Sequence, residues 1–169
     1  MRVPPESERL SFREFIADDF EAFHAICTDP QVMRFVREGV PWTPEQTRDC
    51  IHTANRLSRE RGYCRWAVIH KADQQLIGFC GYVPTDGVPE IGWRLLREYW
   101  GQGLATEAAQ NVLSFGLTTL RMPRVIATVQ KRNHASLRVV EKLGMTFESS
   151  FERLGQDVLL FSITHDHIV

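Results

Sequence analysis

The sequence predicts an α/β (α+β) fold with a mixed, mostly antiparallel central sheet of about seven strands, flanked by helices. Three observations lead to this prediction. Apolar residues recur with strand spacing in short segments along the chain and with helical spacing in the segments between them. Three consecutive strands lie close together in the middle of the chain, which favours antiparallel pairing. The last two segments have the pattern of a closing hairpin.

The first half of the chain begins with a strand and continues with helices. Residues 10–15 alternate apolar and polar side chains, as a half-buried strand does. Helical stretches follow from Asp18 to the interruption at Asp29-Pro30, around residues 32–36, and over residues 44–61. The third helix has a complete start signal, because Thr43 can be its N-cap and Gln46 completes a capping box. Gly62 is predicted to end it.

The second half supplies most of the sheet and encloses a glycine segment. Strands are predicted over residues 64–69, 76–83, 90–96, 125–129, 147–153 and 158–163, and helices over residues 104–119 and 135–143. The helix over residues 104–119 carries one apolar stripe that includes Ala108, Val112 and Phe115. Gly144 ends the helix over residues 135–143. No repeat or linker divides the chain, so residues 1–169 are predicted to form a single domain.

Composition excludes several classes of protein. Hydrophobic residues make up 43% and charged residues 24% of the 169 residues, which is typical of a folded globular chain. No apolar run is long enough to span a membrane, and the N-terminus lacks a signal-peptide core, so a cytoplasmic protein is expected. The formal net charge of −1 argues against nucleic acid as a partner. The cysteines are scattered without metal-ligand spacing, which predicts reduced thiols and no metal.

The segment WGQGLAT, residues 100–106, is the most informative local pattern. It lies between a strand and a helix, where backbone N–H groups and the positive end of the helix dipole are exposed. Glycines allow a phosphate to approach such a backbone closely. A plain tight turn, with Gly103 as the entry to the helix, explains the same residues. The dinucleotide pattern G-x-G-x-x-G fits poorly, because Thr106 stands where its third small residue belongs and three consecutive strands without a crossover precede the segment. The P-loop also fits poorly, because its Gly-Lys-Ser/Thr end is missing.

Two longer motifs resemble a known superfamily. The strand PEIGWRLL with the loop REYWGQGLATEA, followed later by NHASLRVVEKLGMTFE, is similar to the Gcn5-related N-acetyltransferases, abbreviated GNAT. The phrasing YWGQGLATEA resembles the branch that acetylates the N-termini of ribosomal proteins. The resemblance covers residues 10–163, and its specific part is residues 90–147. Trp100 departs from the Arg or Gln that usually opens the loop, as is common in that branch.

The resemblance implies a GNAT fold and a site for acetyl-CoA as co-substrate. Backbone amides of the loop are expected to hold the pyrophosphate, the main chain at the end of the strand is expected to hold the pantetheine arm, and an asparagine is expected to contact that arm. The residues concerned are Gly101, Gln102, Gly103, Leu104, Ala105 and Thr106 for the pyrophosphate, and Leu95, Leu96 and Asn133 for the pantetheine. Ordinary core packing also explains Leu95 and Leu96.

The resemblance also implies roles in proton transfer. Glu90 stands where many relatives keep a general base that acts through water, although a solvated carboxylate at the end of a strand fits as well. The Tyr that protonates the leaving thiolate in many relatives is replaced by Val140. Ser136 is the predicted substitute, with a bound water as the alternative. Asn133 and Ser136 could equally be the N-cap and first turn of a helix. A backbone N–H near Arg94 or Leu95 is the expected oxyanion donor.

The predicted function is transfer of an acetyl group to a primary amine, with a protein or peptide N-terminus as the favoured acceptor. We expect direct transfer in a ternary complex, because Cys80 has no histidine near it in sequence to activate a covalent route. A polyamine or antibiotic acceptor and a non-catalytic acyl-CoA sensor are the alternatives. The acceptor side is expected around Met33, Phe35, Trp42 and the helix that starts at Thr43, although core packing explains these residues equally well. The protein is expected to be a monomer or a homodimer.

Overall fold

A computed structural model describes residues 2–164. Its sheet consists of seven strands. They are β1 (Leu10–Arg13), β2 (Arg65–His70), β3 (Gln75–Thr85), β4 (Val88–Leu95), β5 (Arg124–Gln130), β6 (Thr146–Arg153) and β7 (Gln156–Thr164). Their spatial order is β1-β2-β3-β4-β5-β7-β6. Only the β4–β5 contact is parallel, so the prediction of a mixed, mostly antiparallel sheet is confirmed.

Five α-helices surround the sheet in the described part of the chain. They are α1 (Phe20–Thr28), α2 (Pro30–Met33), α3 (Pro44–Arg61), α4 (Leu104–Ser114) and α5 (His134–Lys142). The predicted start of α3 is confirmed, since the Thr43 side chain accepts from the Gln46 N–H and the Gln46 side chain accepts from the Thr43 N–H. Gly62 ends α3 in the left-handed conformation at φ 73°.

The helices divide between the two faces of the sheet. Phe23 of α1 packs edge-on against Phe79 of β3, with ring centroids 6.0 Å apart. On the opposite face the Tyr82 hydroxyl donates to the Val112 carbonyl of α4 at 2.8 Å. Side chains alternate between faces along a strand, so residues 79 and 82 of β3 must point in opposite directions. The first three helices therefore cover one face, and α4 covers the other.

The predicted helix over residues 104–119 changes its form before it ends. The α-helix stops at Ser114, and residues Phe115–Thr119 form a π-helix in which the Leu120 N–H donates to the Phe115 carbonyl. Gly116 lies against the buried Tyr82, because a Cβ on Gly116 would stand 2.2 Å from the Tyr82 hydroxyl oxygen. The wider turn fits the tyrosine at that point, and apolar spacing in the sequence contains no signal for it.

Two boundaries near the N-terminus differ from the prediction. Strand β1 ends at Arg13, although Phe15 stays buried against Phe23 with ring centroids 4.9 Å apart. The short helix begins earlier than predicted, because the Asp29 side chain accepts from the Gln31 N–H and Pro30 occupies its first turn. The Asp29-Pro30 dipeptide therefore ends one helix and starts the next.

The parallel strands β4 and β5 separate soon after they meet. Their paired register consists of Glu90 opposite Ile126. Further along, residues of both strands line a common cleft instead of bonding to each other. A gap between two parallel strands exposes main-chain N–H and C=O groups that a ligand can pair with. This divergence positions the candidate site.

Candidate active site

The cleft between β4 and β5 has a volume of about 570 Å³. One end is formed by the loop of residues 99–106 and by α5, and the other end by α2 and the residues that follow it. Gly92 lies between the two ends, and a Cβ built on it would meet nothing within 4 Å. Gly92 and Trp93 are neighbours on β4 whose side-chain positions point to opposite faces of the sheet, and both line the cleft, so the cleft reaches both faces.

The glycine loop forms one wall of the cleft. Gly101 and Gly103 have φ angles of 74° and 79°, in the left-handed region where side chains other than glycine are strained. A Cβ on Gly101 would meet nothing within 4 Å, and one on Gly103 would meet only Arg9 Nη2 at 3.6 Å. The backbone conformation requires these glycines, and the space beside them is open to a ligand.

The N–H groups of this loop are available to a ligand. Within the described residues, no protein group accepts a hydrogen bond from the N–H groups of residues 101–106. Gly103 is the N-cap of α4 and offers no side-chain acceptor. A row of free donors at the positive end of a helix suits the oxygens of a diphosphate. Gly101, Gly103, Leu104, Ala105 and Thr106 line the cleft, whereas Gln102 does not.

An ion pair braces this loop from behind. Arg9 donates from Nη1 to the Gln102 carbonyl at 2.9 Å and from Nε to Glu107 at 2.7 Å. Glu107 also accepts from the Ser7 hydroxyl at 2.7 Å and from the Arg9 N–H at 2.8 Å. Burial opposes ionisation of Glu107, but these hydrogen bonds outweigh it and lower its pKa. No pattern in the sequence predicts this brace, because its two sides are separated by about a hundred residues.

The end of β4 is engaged by protein groups. The Trp100 indole N–H donates to the Leu95 carbonyl at 2.8 Å, and the Leu96 N–H donates to the Ile77 carbonyl at 2.7 Å. Leu95 is buried and lines the cleft, whereas Leu96 does not line it. The Leu95 carbonyl keeps a second lone pair for a ligand. The role of Trp100 was also missed, since indole donors have no fixed spacing to their acceptors.

Asn133 and Ser136 meet at the start of α5. The Asn133 side chain accepts from the Ser136 N–H at 3.2 Å, so Asn133 is the N-cap of this helix. Both residues line the cleft. Within the described residues the Ser136 hydroxyl has no protein partner, so it is available to a group in the cleft. Val140 is fully buried and lies outside the cleft lining.

Glu90 lies next to the cleft and not in its lining. Its carboxylate accepts from the Thr85 hydroxyl at 2.5 Å and from the Thr128 hydroxyl. Thr128 itself lines the cleft, so it connects the carboxylate to the cavity. Glu90 also stands at the register where β4 pairs with β5. The Glu90 carboxylate therefore links β4 to β5 through a hydrogen bond with Thr128, and Thr128 borders the cleft.

Charged side chains of one sign line the cleft. They are Arg34, Arg94, Arg138 and Lys142, and no Asp or Glu of the described residues joins them. Nor does any group of three or more His, Cys, Asp and Glu within residues 2–164 have the placement for a metal ion. The cleft thus suits anionic groups over polycations.

Cys80 is not placed for covalent catalysis. Its side chain is fully buried, and burial raises the pKa of its thiol well above the usual value. Cys80 pairs with Trp93 in the β3–β4 register and is absent from the cleft lining. The described cysteines form no disulfide. A buried neutral thiol is a poor nucleophile.

Comparison with known proteins identifies relatives along most of the chain. The profile of the acetyltransferase (GNAT) domain matches residues 9–146. The uncharacterized N-acetyltransferase p20 of Bacillus licheniformis is 33% identical over 168 residues, covering 93% of each chain. The spermidine N(1)-acetyltransferase of Escherichia coli is 37% identical over 150 residues, covering 85% of this chain and 76% of the enzyme.

Solved structures share the fold. A GNAT-family acetyltransferase from Bacillus anthracis superimposes with a TM-score of 0.82 at 32% identity, covering 95% of this chain and 98% of that one. The ribosomal L7/L12 alpha-N-protein acetyltransferase in complex with coenzyme A superimposes with a TM-score of 0.81 at 18% identity, covering 96% of this chain and 98% of that one.

None of the helices formed by residues 2–164 has both the length and the apolar character needed to cross a membrane.

Proposed function

This chain belongs to the GNAT acetyltransferase family, and we propose that it acetylates the α-amino group of a protein or peptide N-terminus by direct transfer from acetyl-CoA. That it is an N-acetyltransferase with acetyl-CoA as its acetyl donor follows from the family. The identity of the amine and the role of each side chain are the proposal.

The observation that carries the proposal is the continuity of the cleft. The loop with free N–H groups, the gap between β4 and β5, and the surface beside α2 line a single cavity. A donor bound at the loop and an amine entering past α2 would meet over Gly92, where the space is open. Holding two reactants in one cavity removes much of the entropic cost of their encounter.

The residues of the loop fit the coenzyme. The N–H groups of residues 101–106 would hold its pyrophosphate, and the β4 main chain at Leu95 would hold the pantetheine arm beside Asn133. When bound, acetyl-CoA supplies an acetyl group activated as a thioester. The open space beside Gly101 leaves room for the phosphate oxygens.

Glu90 and Ser136 are proposed to move protons on the two sides of the reaction. An α-amino group has a pKa near 8 and must lose a proton to attack. The Glu90 carboxylate would take that proton through a water beside Thr128, which already donates to Glu90. As the amide bond forms and the C–S bond breaks, the nitrogen would lose its second proton to water in the cleft. The free Ser136 hydroxyl would donate its proton to the sulfur and regain one from that water.

Direct transfer is supported by the position of the thiols. Cys80 is buried and lies outside the cleft lining, so it cannot reach the cleft as a thiolate. A rapid-quench search for acetyl-cysteine tests this point. We expect none, and an acetyl-enzyme that forms and decays as fast as turnover would overturn direct transfer.

An acceptor screen with labelled acetyl-CoA tests the proposed substrate. The panel contains peptides with N-terminal Ser, Ala and Thr, the same peptides with a blocked N-terminus, lysine-containing peptides, polyamines and aminoglycosides. We expect acetylation of free N-termini only. The kcat/KM should rise with an inflection near pH 8 and level off above about pH 9, as an α-amine requires, and not keep rising beyond pH 10 as it would for a lysine or polyamine amine.

A polyamine is the second candidate because one relative is a spermidine N(1)-acetyltransferase. The four cationic side chains along the cleft speak against it, since a polycation would bind among like charges. If spermidine gave a higher kcat/KM than every peptide of the screen, the N-terminal proposal would be wrong and this candidate would replace it.

A further inference from the structure

Arg94 is a buried cation without an anionic partner among residues 2–164. Its side chain is only 7% exposed, and its Nε has no hydrogen-bond partner among the described residues. Nη1 donates to the Cys27 sulfur at 3.2 Å, which is a weak acceptor. Burial lowers the pKa of Arg94, but a guanidinium remains charged at neutral pH. A charged group with so little compensation is uncommon in a protein interior.

Aromatic rings hold the guanidinium in place. Its Cζ lies 4.3 Å from the ring centroid of Trp42 and 5.3 Å from that of Phe79. Arg65 stacks on Phe79 as well, with its Cζ 4.9 Å from the centroid, and its Nε is also without a partner. Two cations on one ring raise the positive potential on this face of the sheet. No carboxylate within residues 2–164 forms a salt bridge with either arginine.

The position of Arg94 relates it to the proposed acceptor. Glu90, Gly92 and Arg94 occupy alternate positions of β4, so they share one face of the strand. Alternate residues are about 7 Å apart along a strand. An amine over Gly92 would therefore have the Glu90 carboxylate on one side and the Arg94 guanidinium on the other. A group attached to the carbon next to that amine would reach Arg94.

We propose that the acceptor carries a carboxylate close to its reactive amine, and that Arg94 binds this carboxylate. The inference rests on the proposed function, since it names the class of amine that the same cleft accepts. Arg94 lines the cleft, and the exposed Arg34 beside α2 adds positive charge near its acceptor end. A guanidinium and a carboxylate form charge-assisted hydrogen bonds, and no carboxylate among residues 2–164 pairs with Arg94.

Two sources supply this chemistry. One is the side chain of an Asp or Glu at the first or second position of a peptide. The other is the α-carboxylate of a free amino acid. Both place an anion a few bonds from a primary amine, and both differ from polyamines and aminoglycosides, which carry only cations.

Matched acceptor pairs test the proposal with the unmodified protein. One pair consists of a peptide that begins with Asp or Glu and the same peptide with Asn or Gln. The other consists of a free amino acid and its amide. We expect about a 10- to 100-fold higher kcat/KM for the acidic member of the accepted pair, in the range that a charge-assisted hydrogen bond contributes. A preference in the peptide pair keeps the proposed N-terminal acceptor. A preference in the amino-acid pair alone would keep the anionic acceptor but replace the peptide N-terminus with a free amino acid.

Substitution of Arg94 assigns the preference to this residue. Arg94→Met keeps much of the volume between Trp42 and Phe79 but removes the charge, so the acid-to-amide ratio should fall to about 1. Arg94→Lys keeps a charge without the planar fork and should give an intermediate ratio. Calorimetry with acetyl-CoA and the melting temperature establish that each variant is folded with an intact coenzyme site.

The outcomes separate this inference from the proposed function. Equal kcat/KM for acid and amide on the unmodified protein, with clear turnover, would overturn the anionic acceptor and leave the transferase proposal standing. A ratio unchanged in a folded Arg94→Met would equally overturn it and would make Arg94 a packing residue. A higher kcat/KM for spermidine than for every peptide and amino acid would overturn both proposals.

Discussion

The two ends of the cleft are built in different ways. The end at residues 101–106, which are the glycine loop and the first turn of α4, presents main-chain N–H groups, and Gly101 and Gly103 have positive φ angles. The end beside α2 presents side chains from separate elements, among them Arg34 and Arg94. In the proposed function, the main-chain end binds acetyl-CoA, which is the same for every acceptor, so its residues do not indicate which amine is used. A side-chain site carries the selectivity, because its charges differ from one sequence to another.

The largest expected effect comes from adding bulk and charge to the main-chain end. Gly103→Glu or Gly101→Glu should weaken acetyl-CoA binding by more than about 100-fold, because a carboxylate would meet the phosphates and the left-handed backbone would be strained. Calorimetry measures the change. Retained affinity in either variant would remove the loop from the coenzyme site.

Gly62 provides a matched control for these variants. It has nearly the same backbone angle, φ 73°, at the exposed end of α3, and a Cβ on it would meet nothing within 4 Å. Gly62→Glu should cost about 1 kcal/mol of stability through the same strain. Its affinity for acetyl-CoA should not change, so the difference between Gly62 and Gly103 isolates the effect of the phosphate site.

Glu90 stands where the two ends meet, and its substitution gives the next largest effect. Glu90→Gln should lower kcat by about 100-fold with little change in acetyl-CoA affinity, as loss of a general base does. Thr85→Val is the matched control, since it removes one hydrogen bond to Glu90 without altering the cleft lining. A folded Glu90→Gln with full kcat would make the carboxylate only a link between β4 and β5.

Ser136→Ala should lower kcat by about 10-fold through loss of the proton donor to the thiolate. The helix cap should survive, because Asn133 accepts from the Ser136 N–H and not from its hydroxyl. Asn133→Ala should instead reduce stability by about 1 kcal/mol through loss of the cap. Thiol release and thermal unfolding measure the two effects. An unchanged kcat in Ser136→Ala, with chemistry rate-limiting, would assign the proton to water.

The smallest effect is expected behind the main-chain end. Glu107→Gln should lower stability by about 1 kcal/mol, because the carboxylate loses its charge while its donors on Ser7 and Arg9 remain. The pKa of Glu107 is lowered on folding, so its contribution is full above the ordinary glutamate pKa near 4.3 and is lost as pH falls through the lower folded value.

Thermal unfolding across pH measures this linkage. The difference in melting temperature between the unmodified protein and Glu107→Gln should be constant from pH 6 to 8 and should narrow below about pH 4. Glu8→Gln, at an exposed glutamate of the same N-terminal segment, is the control and should show no difference. If the difference in melting temperature persisted at pH 3, packing and not the charge of Glu107 would explain its contribution to stability.

The sequence by itself determined the elements, their order and the main-chain end of the cleft. Apolar spacing located seven strands and five helices because burial of one face is a local pattern. The capping residues of α3 and the glycines of the loop could be predicted, because caps and left-handed turns depend on neighbours in sequence. The family resemblance was confirmed for the same reason, since its motifs lie within continuous segments.

Only the tertiary structure decided how distant residues meet. The π-helix at Gly116, the brace between Arg9 and Glu107, and the stacking of Arg94 on Trp42 each join positions that sequence spacing does not relate. Their contacts follow from the path of the sheet and from which faces the helices cover. Hydrogen bonds and ion pairs of this kind depend on positions in space, and a linear pattern records only positions along the chain.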